Sequence, residues 1–196
     1  MSSILGISAF YHDSAACILK NGKIIADAQE ERFSRKKHDF SYPHNAIEFV
    51  LTYANLSLSE VDHIVFFEKP FLKFERLLET YLAFAPKGFK SFSLSMPIWL
   101  REKLFQKKFL FDKLKLNDKN FNDISKIQFS EHHYSHAASA FYPSPFKNSA
   151  VLTLDGVGEW ATTTFGTATK NEIDLTAKNY DASSGLEDQQ DIQTQD

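Results

Sequence analysis

The feature that most constrains the fold is a two-residue turn between two short strand-like runs near the N-terminus. Asn21-Gly22 is a strong hairpin signal. The run at 15–19 is predicted to be the strand before this turn, and the run at 23–30 its partner. A further strand is predicted at 4–10, followed by a polar turn at 11–14. The chain is therefore expected to open with a strand, a polar turn and a hairpin.

The next hundred residues indicate that helices and strands alternate. The charged stretch at 30–38 is predicted to be an exposed loop. A helix is predicted to begin near Asn45, a candidate cap, because apolar side chains recur at helical spacing after it. Those side chains are Ile47, Val50, Leu51 and Ala54. Strands predicted at 62–67, 124–129 and 162–168 then indicate an α/β fold.

The strongest candidate for chemistry is a histidine-rich stretch at 131–136, which is followed by small residues that favour a helix. A helix that begins near Glu131 would place His132 and His136 on one face, one turn apart. Two imidazoles at that spacing are able to bind one transition metal. Asp155 is the candidate third ligand, since it ends an apolar run at 150–154 that we predict to be a buried strand.

A glycine turn follows Asp155, with Gly156 and Gly158 two residues apart. Such a turn presents backbone N–H groups to an anion without an interfering Cβ. Two histidines at this spacing are more often surface or core-edge residues without a metal, and the glycine turn beside Asp155 is what favours a site. The motif also lacks the His-Glu-x-x-His pattern of zinc proteases. The polar turn of His12, Asp13 and Ser14 is likewise compatible with a capped turn that has no chemical role.

Between residues 69 and 122 the chain carries aromatic residues at helical spacings, with lysines in the part at 98–110. We interpret this stretch as a helical insertion whose apolar side packs and whose lysines face water. A net charge of -3 gives no support for a nucleic-acid partner. No basic leader precedes an apolar block, and no apolar run is long enough to span a bilayer, so no membrane partner is expected. The single cysteine, Cys17, fits a reducing cytoplasm. Residues 171–196 are predicted to be a polar, acidic and disordered tail.

Four motifs in the same order indicate a known family. They are residues 4–16, 28–39, 131–141 and 154–160, and the likeness covers about residues 3 to 170. These motifs resemble the N-terminal part of the NodU/CmcH-type O-carbamoyltransferases. The resemblance implies an α/β domain of the actin-like ATPase (ribonuclease H-like) class, with a mixed sheet, flanking helices and the helical insertion.

The resemblance also implies an activity. In this family a C-terminal YrdC-like domain makes carbamoyl-adenylate from carbamoyl phosphate and ATP. The actin-like domain passes the carbamoyl group to a hydroxyl of a sugar-like, antibiotic or other natural-product acceptor. By position, His132, His136 and Asp155 would bind a divalent metal, with Fe²⁺ favoured. Asp155, Gly156, Val157, Gly158 and Glu159 would face the adenylate, and His12 would take the acceptor proton.

The chain is much shorter than a full family member, and this leaves two classes of function open. It is either the N-terminal portion of a carbamoyltransferase, inactive unless a second chain carries the C-terminal half, or a non-catalytic remnant that binds metal or nucleotide. A related activity on tRNA is less favoured, because the charge balance gives no support for RNA.

Overall fold

The computed structural model describes residues 2–102, 105–156, 159, 161–170 and 172–179. The chain divides into two compact units. The first unit comprises residues 1–67 and 106–129, and the second comprises residues 68–105 and 130–196. None of the described helices is both long enough and apolar enough to cross a bilayer.

The first unit contains five strands and three helices. In chain order they are β1 Ser3–Ser8, β2 Ala15–Lys20, β3 Lys23–Gln29, α1 Glu31–Ser34, α2 His44–Ala54, β4 His63–Phe66, α5 Gln106–Asn117 and β5 Ile127–Phe129. Short 3₁₀ turns lie at Leu58–Glu60 and Ile124–Lys126. The sheet order is β3-β2-β1-β4-β5. β1, β2 and β3 pair antiparallel, whereas β1, β4 and β5 pair parallel. The prediction of an α/β fold with a mixed sheet and flanking helices is confirmed.

Alternating apolar residues explain how this sheet packs. In β1, Leu5 and Ile7 are buried while their neighbours are partly exposed, as expected for a strand with one fully covered face. The stripe predicted on α2 is buried at every position. The Asn21-Gly22 turn has positive φ at both residues, 52° and 75°, which is the geometry of the predicted hairpin turn. The stretch expected to be loop at 30–38 contains the short helix α1.

The described residues of the second unit form three helices and a three-stranded sheet. They are α3 Pro70–Phe84, α4 Phe89–Glu102, α6 His132–Phe141, β6 Asn148–Leu154, β7 Thr163–Thr169 and β8 Glu172–Asn179. The strands form an antiparallel sheet in the order β6-β7-β8. Its small core joins helix and sheet side chains: Ala137, Phe141, Val151, Ala168 and Ile173.

Two sequence expectations meet a different arrangement. β6 is not a buried strand: Leu152 and Leu154 are 59% and 71% exposed, because only one face of this sheet is packed in the described residues. Residues 172–179 of the expected tail form β8, since Ile173 and Leu175 pack in the core of the second unit. The rest of the expected tail, residue 171 and residues 180–196, lies outside the described residues.

Helices α3, α4 and α5 all lie in the stretch expected to be a helical insertion. The helical run expected at 98–110 is divided between α4, which ends at Glu102, and α5, which begins at Gln106. Leu110 and Leu114 of α5 are fully buried in the core of the first unit, so α5 is an integral part of that unit. The assignment of the remaining helices as an insertion stays a prediction.

Candidate functional site

Helix α6 and the end of strand β6 position the three predicted metal ligands. Glu131 is the extended residue before α6, so the helix begins at His132 and places His136 one turn later on the same face. Asp155 directly follows β6. Its backbone N–H donates to the Thr162 carbonyl at 2.8 Å, which continues the β6–β7 pairing and fixes where the carboxylate emerges.

The structure brings these three side chains together. His132 Nε2 lies 2.5 Å from Asp155 Oδ2, and His136 Nε2 lies 3.8 Å from the same oxygen. The two Nε2 atoms are 3.1 Å apart. Ligand atoms that share one ion at about 2.1 Å are separated by about 3 Å, so this spacing suits a single cation. We call these residues the His132–His136–Asp155 cluster.

The donor set of this cluster fits a divalent transition metal. Two imidazoles and one carboxylate on one side of an ion form the facial triad typical of non-haem iron, and the same set also binds zinc or manganese. Burial lowers the pKa of His132, and the hydrogen bond to Asp155 only partly opposes that effect. A lowered pKa favours the neutral imidazole, which is the form that ligates a metal. Metal binding by the cluster stays a prediction.

The predicted anion-binding turn is described only in part. A Cβ added to Gly156 would meet no atom within 4 Å, so the backbone there borders open space. Val157 and Gly158 lie outside the described residues. Glu159 is only 6% exposed, so its side chain is buried. That this turn faces the adenylate stays a prediction.

Glu159 instead supports the start of α6. Its carboxylate accepts the backbone N–H groups of Lys69 and His132. The first N–H groups of a helix lack partners within the helix, so a carboxylate at that end satisfies one of them. Its negative charge also interacts favourably with the positive end of the helix dipole. Burial raises the pKa of Glu159 to about 7, despite these hydrogen bonds. Lys69 also pairs with Glu131, with Nζ 2.9 Å from Oε1.

A chain of buried polar groups joins α6 to two strands. His133 Nδ1 lies 2.5 Å from Thr153 Oγ1, which in turn lies 2.6 Å from Thr164 Oγ1. The middle histidine of the motif is therefore a structural connection to the sheet, while its neighbours His132 and His136 face Asp155. Sequence reasoning missed His133, Thr153, Thr164 and Lys69. No local pattern identifies them, because their partners lie 11 to 90 residues away along the chain.

His12, the predicted base, belongs to the first unit. It lies in the turn between β1 and β2, with a side chain that is 63% exposed. Its Nδ1 is 3.1 Å from Asp13 Oδ2. Ligand atoms of Asp13, Glu31 and His38 also lie within 4.8 Å of one another, a second cluster that the sequence did not reveal.

The chain is thus an α/β protein with a mixed sheet and a candidate transition-metal site. The family model described as "Carbamoyltransferase N-terminus" matches residues 3–185. The chain therefore belongs to the carbamoyltransferase N-terminal family, as the four motifs indicated. The match runs past residue 170, where the sequence likeness was expected to end, and it includes β8.

Two relatives have lengths that far exceed the matched region. The chain is 57% identical over 174 residues to sll1178 of Synechocystis sp., a match that covers 88% of this chain and 28% of that protein. It is 33% identical over 172 residues to nodulation protein NolNO of Sinorhizobium fredii, covering 85% of this chain and 22% of the relative. The chain thus spans about a quarter of the length of these relatives. Among solved structures, YeaZ from Pseudomonas aeruginosa matches with a TM-score of 0.44 and 14% identity, over 91% of this chain and 65% of that one.

Proposed function

We propose that this chain is the N-terminal, acceptor-activating part of an O-carbamoyltransferase. In this proposal carbamoyl-adenylate, made from carbamoyl phosphate and ATP, is the donor, and a hydroxyl of a sugar-like or other natural-product molecule is the acceptor. Membership of the carbamoyltransferase N-terminal family supports the reaction class. The single observation that carries the proposal is the convergence of His132, His136 and Asp155 on one point.

The chain's own residues supply two functions in the proposed reaction. His12 takes the proton from the acceptor hydroxyl, whose oxygen forms a bond to the carbamoyl carbon while the bond from that carbon to the adenylate oxygen breaks, releasing AMP. An alcohol needs such a base because it is a weak nucleophile at neutral pH. The exposed Gly156 backbone at the end of β6 is suited to approach by the adenylate phosphate.

The His132–His136–Asp155 cluster would hold a divalent metal, which when bound supplies positive charge that polarises an oxygen of the donor. Iron(II) is the favoured ion because the donor set is a facial triad. Glu159 and His133 would keep the cluster in place by holding the start of α6 and its contact with the sheet. The single cysteine, whose pKa burial raises to about 11, is consistent with an inert thiol in a reducing, cytoplasmic setting.

Carbamoyl transfer is the direct test. The purified chain would be incubated with ATP, carbamoyl phosphate and a panel of hydroxylated acceptors, with and without a polypeptide that carries the C-terminal three-quarters of a relative. Because the chain spans only 22–28% of its relatives, we expect product only when the second polypeptide is present. Mass spectrometry would detect a mass increase of about 43 daltons on the acceptor, because CONH₂ replaces the hydroxyl hydrogen.

Three outcomes separate the alternatives. Product from the mixture but not from the chain alone supports the proposal. Product from the chain alone would refute the need for a partner. Metal or nucleotide binding without product under any condition favours a non-catalytic remnant.

A further inference from the structure

The turn that carries His12 is held by a second segment of the first unit. The backbone N–H of Phe10 donates to the Phe40 carbonyl and that of Ser14 donates to the Asp39 carbonyl, both at 2.8 Å. Phe10 and Asp13 have positive φ angles of 73° and 46°, as does His38 at 55°. Left-handed backbone at three non-glycine residues is uncommon and persists where the surroundings impose it. Residues 10–14 and residues 38–40 therefore constrain each other, and we call these two segments the loop pair.

At the centre of this loop pair, one carboxylate bridges two imidazoles. Asp13 Oδ1 lies 2.9 Å from His38 Nδ1, and Asp13 Oδ2 lies 3.1 Å from His12 Nδ1. The hydrogen bond from His38 is the main reason that the pKa of Asp13 is below its ordinary value, so this carboxylate is ionised at neutral pH. An ionised carboxylate only accepts hydrogen bonds, and each bond therefore requires a proton on the facing Nδ1.

This requirement decides which nitrogen of His12 is free to act as a base. A neutral imidazole with its proton on Nδ1 has its lone pair on Nε2. The His12 side chain is 63% exposed, so a ligand is able to reach Nε2 from solvent. The carboxylate on the opposite side of the ring would stabilise the imidazolium that forms when Nε2 accepts a proton.

We propose that Asp13 and His38 are positioning residues that hold His12 in the Nδ1–H form with Nε2 presented as the base. The inference rests on the proposed function, in which His12 deprotonates the acceptor hydroxyl. His38 donates a hydrogen bond to the carboxylate oxygen that His12 does not contact, so both oxygens of Asp13 are held. The backbone N–H of His38 donates in turn to Glu31 Oε2 at 3.1 Å, which fixes His38.

Long-range ¹⁵N–¹H spectra of the histidine side chains test the geometry without activity. The full 196-residue chain would be measured at about pH 8.5. His12→Gln and His38→Gln assign the two ring systems. We expect the Nδ1–H pattern for both rings in the unsubstituted chain, and its loss from at least one ring in Asp13→Asn, because asparagine offers one acceptor oxygen in place of two. Asp112→Asn, which alters an exposed carboxylate elsewhere in the first unit, is the matched control and leaves the pattern unchanged.

An Nε2–H pattern for His12 in the unsubstituted chain would overturn the inference. So would an Nδ1–H pattern that survives at both rings in Asp13→Asn, because two acceptor oxygens would then not be its cause. If Asp13→Asn were to unfold the first unit, the His38→Gln spectrum still decides: His12 keeps its Nδ1–H pattern under the proposal, but with broader lines because Asp13 has lost one of its two anchors.

Kinetics in the two-polypeptide transfer assay supply the second readout. Asp13→Asn is expected to lower kcat about 100-fold with KM changed less than about twofold, since general-base catalysis contributes about 10²- to 10⁴-fold. His38→Gln is expected to lower kcat about tenfold, because it removes one of two anchors of Asp13. Unchanged kcat in Asp13→Asn overturns the positioning role. If the spectra show the Nδ1–H pattern but no mixture of the two polypeptides yields carbamoylated product, the proposed function is refuted instead. The two failures are therefore distinguishable.

Discussion

The two sheets of this chain differ in how completely they are packed. In the first unit the central strand β1 pairs on both sides, and its sheet shares a core of eighteen buried side chains with α2 and α5. Among the described residues of the second unit, the core comprises five buried side chains, and the opposite sheet face exposes Leu152, Leu154 and Phe165. The candidate metal cluster belongs to the second unit. Among the described residues, buried polar connections from Glu159 and His133 add to the small apolar core that holds its helix.

Truncating a core side chain of the first unit should have the largest effect. Phe66 is 1% exposed and packs against Phe10, Phe67 and Phe129. Phe66→Ala is expected to lower the free energy of unfolding by about 4 kcal/mol, because it removes a large buried ring and leaves a cavity. Urea unfolding followed by far-UV circular dichroism would measure it. Phe165→Ala, at 49% exposure in the second unit, is the control and should cost under about 1 kcal/mol. Equal costs would contradict the difference in packing.

A smaller but local effect is expected at Gly166 of β7. A Cβ at this position would collide with the main chain of Asp174 in β8, at a register irregularity between the two strands. Gly166→Ala is expected to destabilise the second unit by about 2 kcal/mol through strain. The sequence has two tryptophans, Trp99 and Trp160, whose fluorescence would follow unfolding in urea. Gly156→Ala adds its methyl group to open space and should leave the midpoint nearly unchanged. A similar loss in both variants would argue against the β7–β8 contact.

The pH dependence of the second unit should reveal the buried carboxyl of Glu159. Its pKa is raised from 4.5 to about 7, so the folded state binds more protons than the unfolded state between these values. The contribution of this carboxyl to the free energy of unfolding is therefore fully present below about pH 4.5 and is lost as pH rises through about 7. Glu159→Gln removes the titration. In the presence of a chelator, the stability of the unsubstituted chain relative to Glu159→Gln should fall by about 1–2 kcal/mol between pH 5 and pH 8. Fluorescence-monitored urea unfolding would measure the stability difference between the two proteins. A difference that stays constant or rises with pH would contradict the raised pKa of Glu159.

The smallest effect is expected on the exposed face of β6. Leu154 is 71% exposed, so Leu154→Thr, which keeps a strand-favouring side chain, should change stability by less than about 0.5 kcal/mol. Val151→Thr should lower the free energy of unfolding more, because Val151 is buried and the substitution places a hydroxyl in the small core of the second unit. Fluorescence-monitored unfolding compares the two. A loss above about 1 kcal/mol at Leu154 would mean that this face is covered in solution.

Local patterns were sufficient to predict part of this architecture. Helical spacing predicted that His132 and His136 share a face, and the strand end before a glycine turn predicted where Asp155 emerges. The Asn21-Gly22 hairpin was equally readable, because its signal lies in two adjacent residues.

Contacts between distant segments were not readable in the same way. Glu159 meets Lys69 across 90 residues, and Asp13 meets His38 across 25, so no periodicity or spacing connects them. The exposure of β6 was missed because a continuous apolar run is typical of a strand covered on both faces. Whether a second face is covered depends on other elements of the fold and not on the strand itself.

Metal content of the purified chain is the most direct test of the central claim that His132, His136 and Asp155 bind one cation. The chain would be loaded anaerobically with iron(II), desalted and analysed beside His132→Ala, His136→Ala and the control His63→Ala, which alters an exposed histidine of the first unit. We expect about one equivalent of metal in the unsubstituted chain and the control, and less than about a tenth of that in the two cluster variants, because each loses a ligand. Equal metal content in all four proteins would contradict the account.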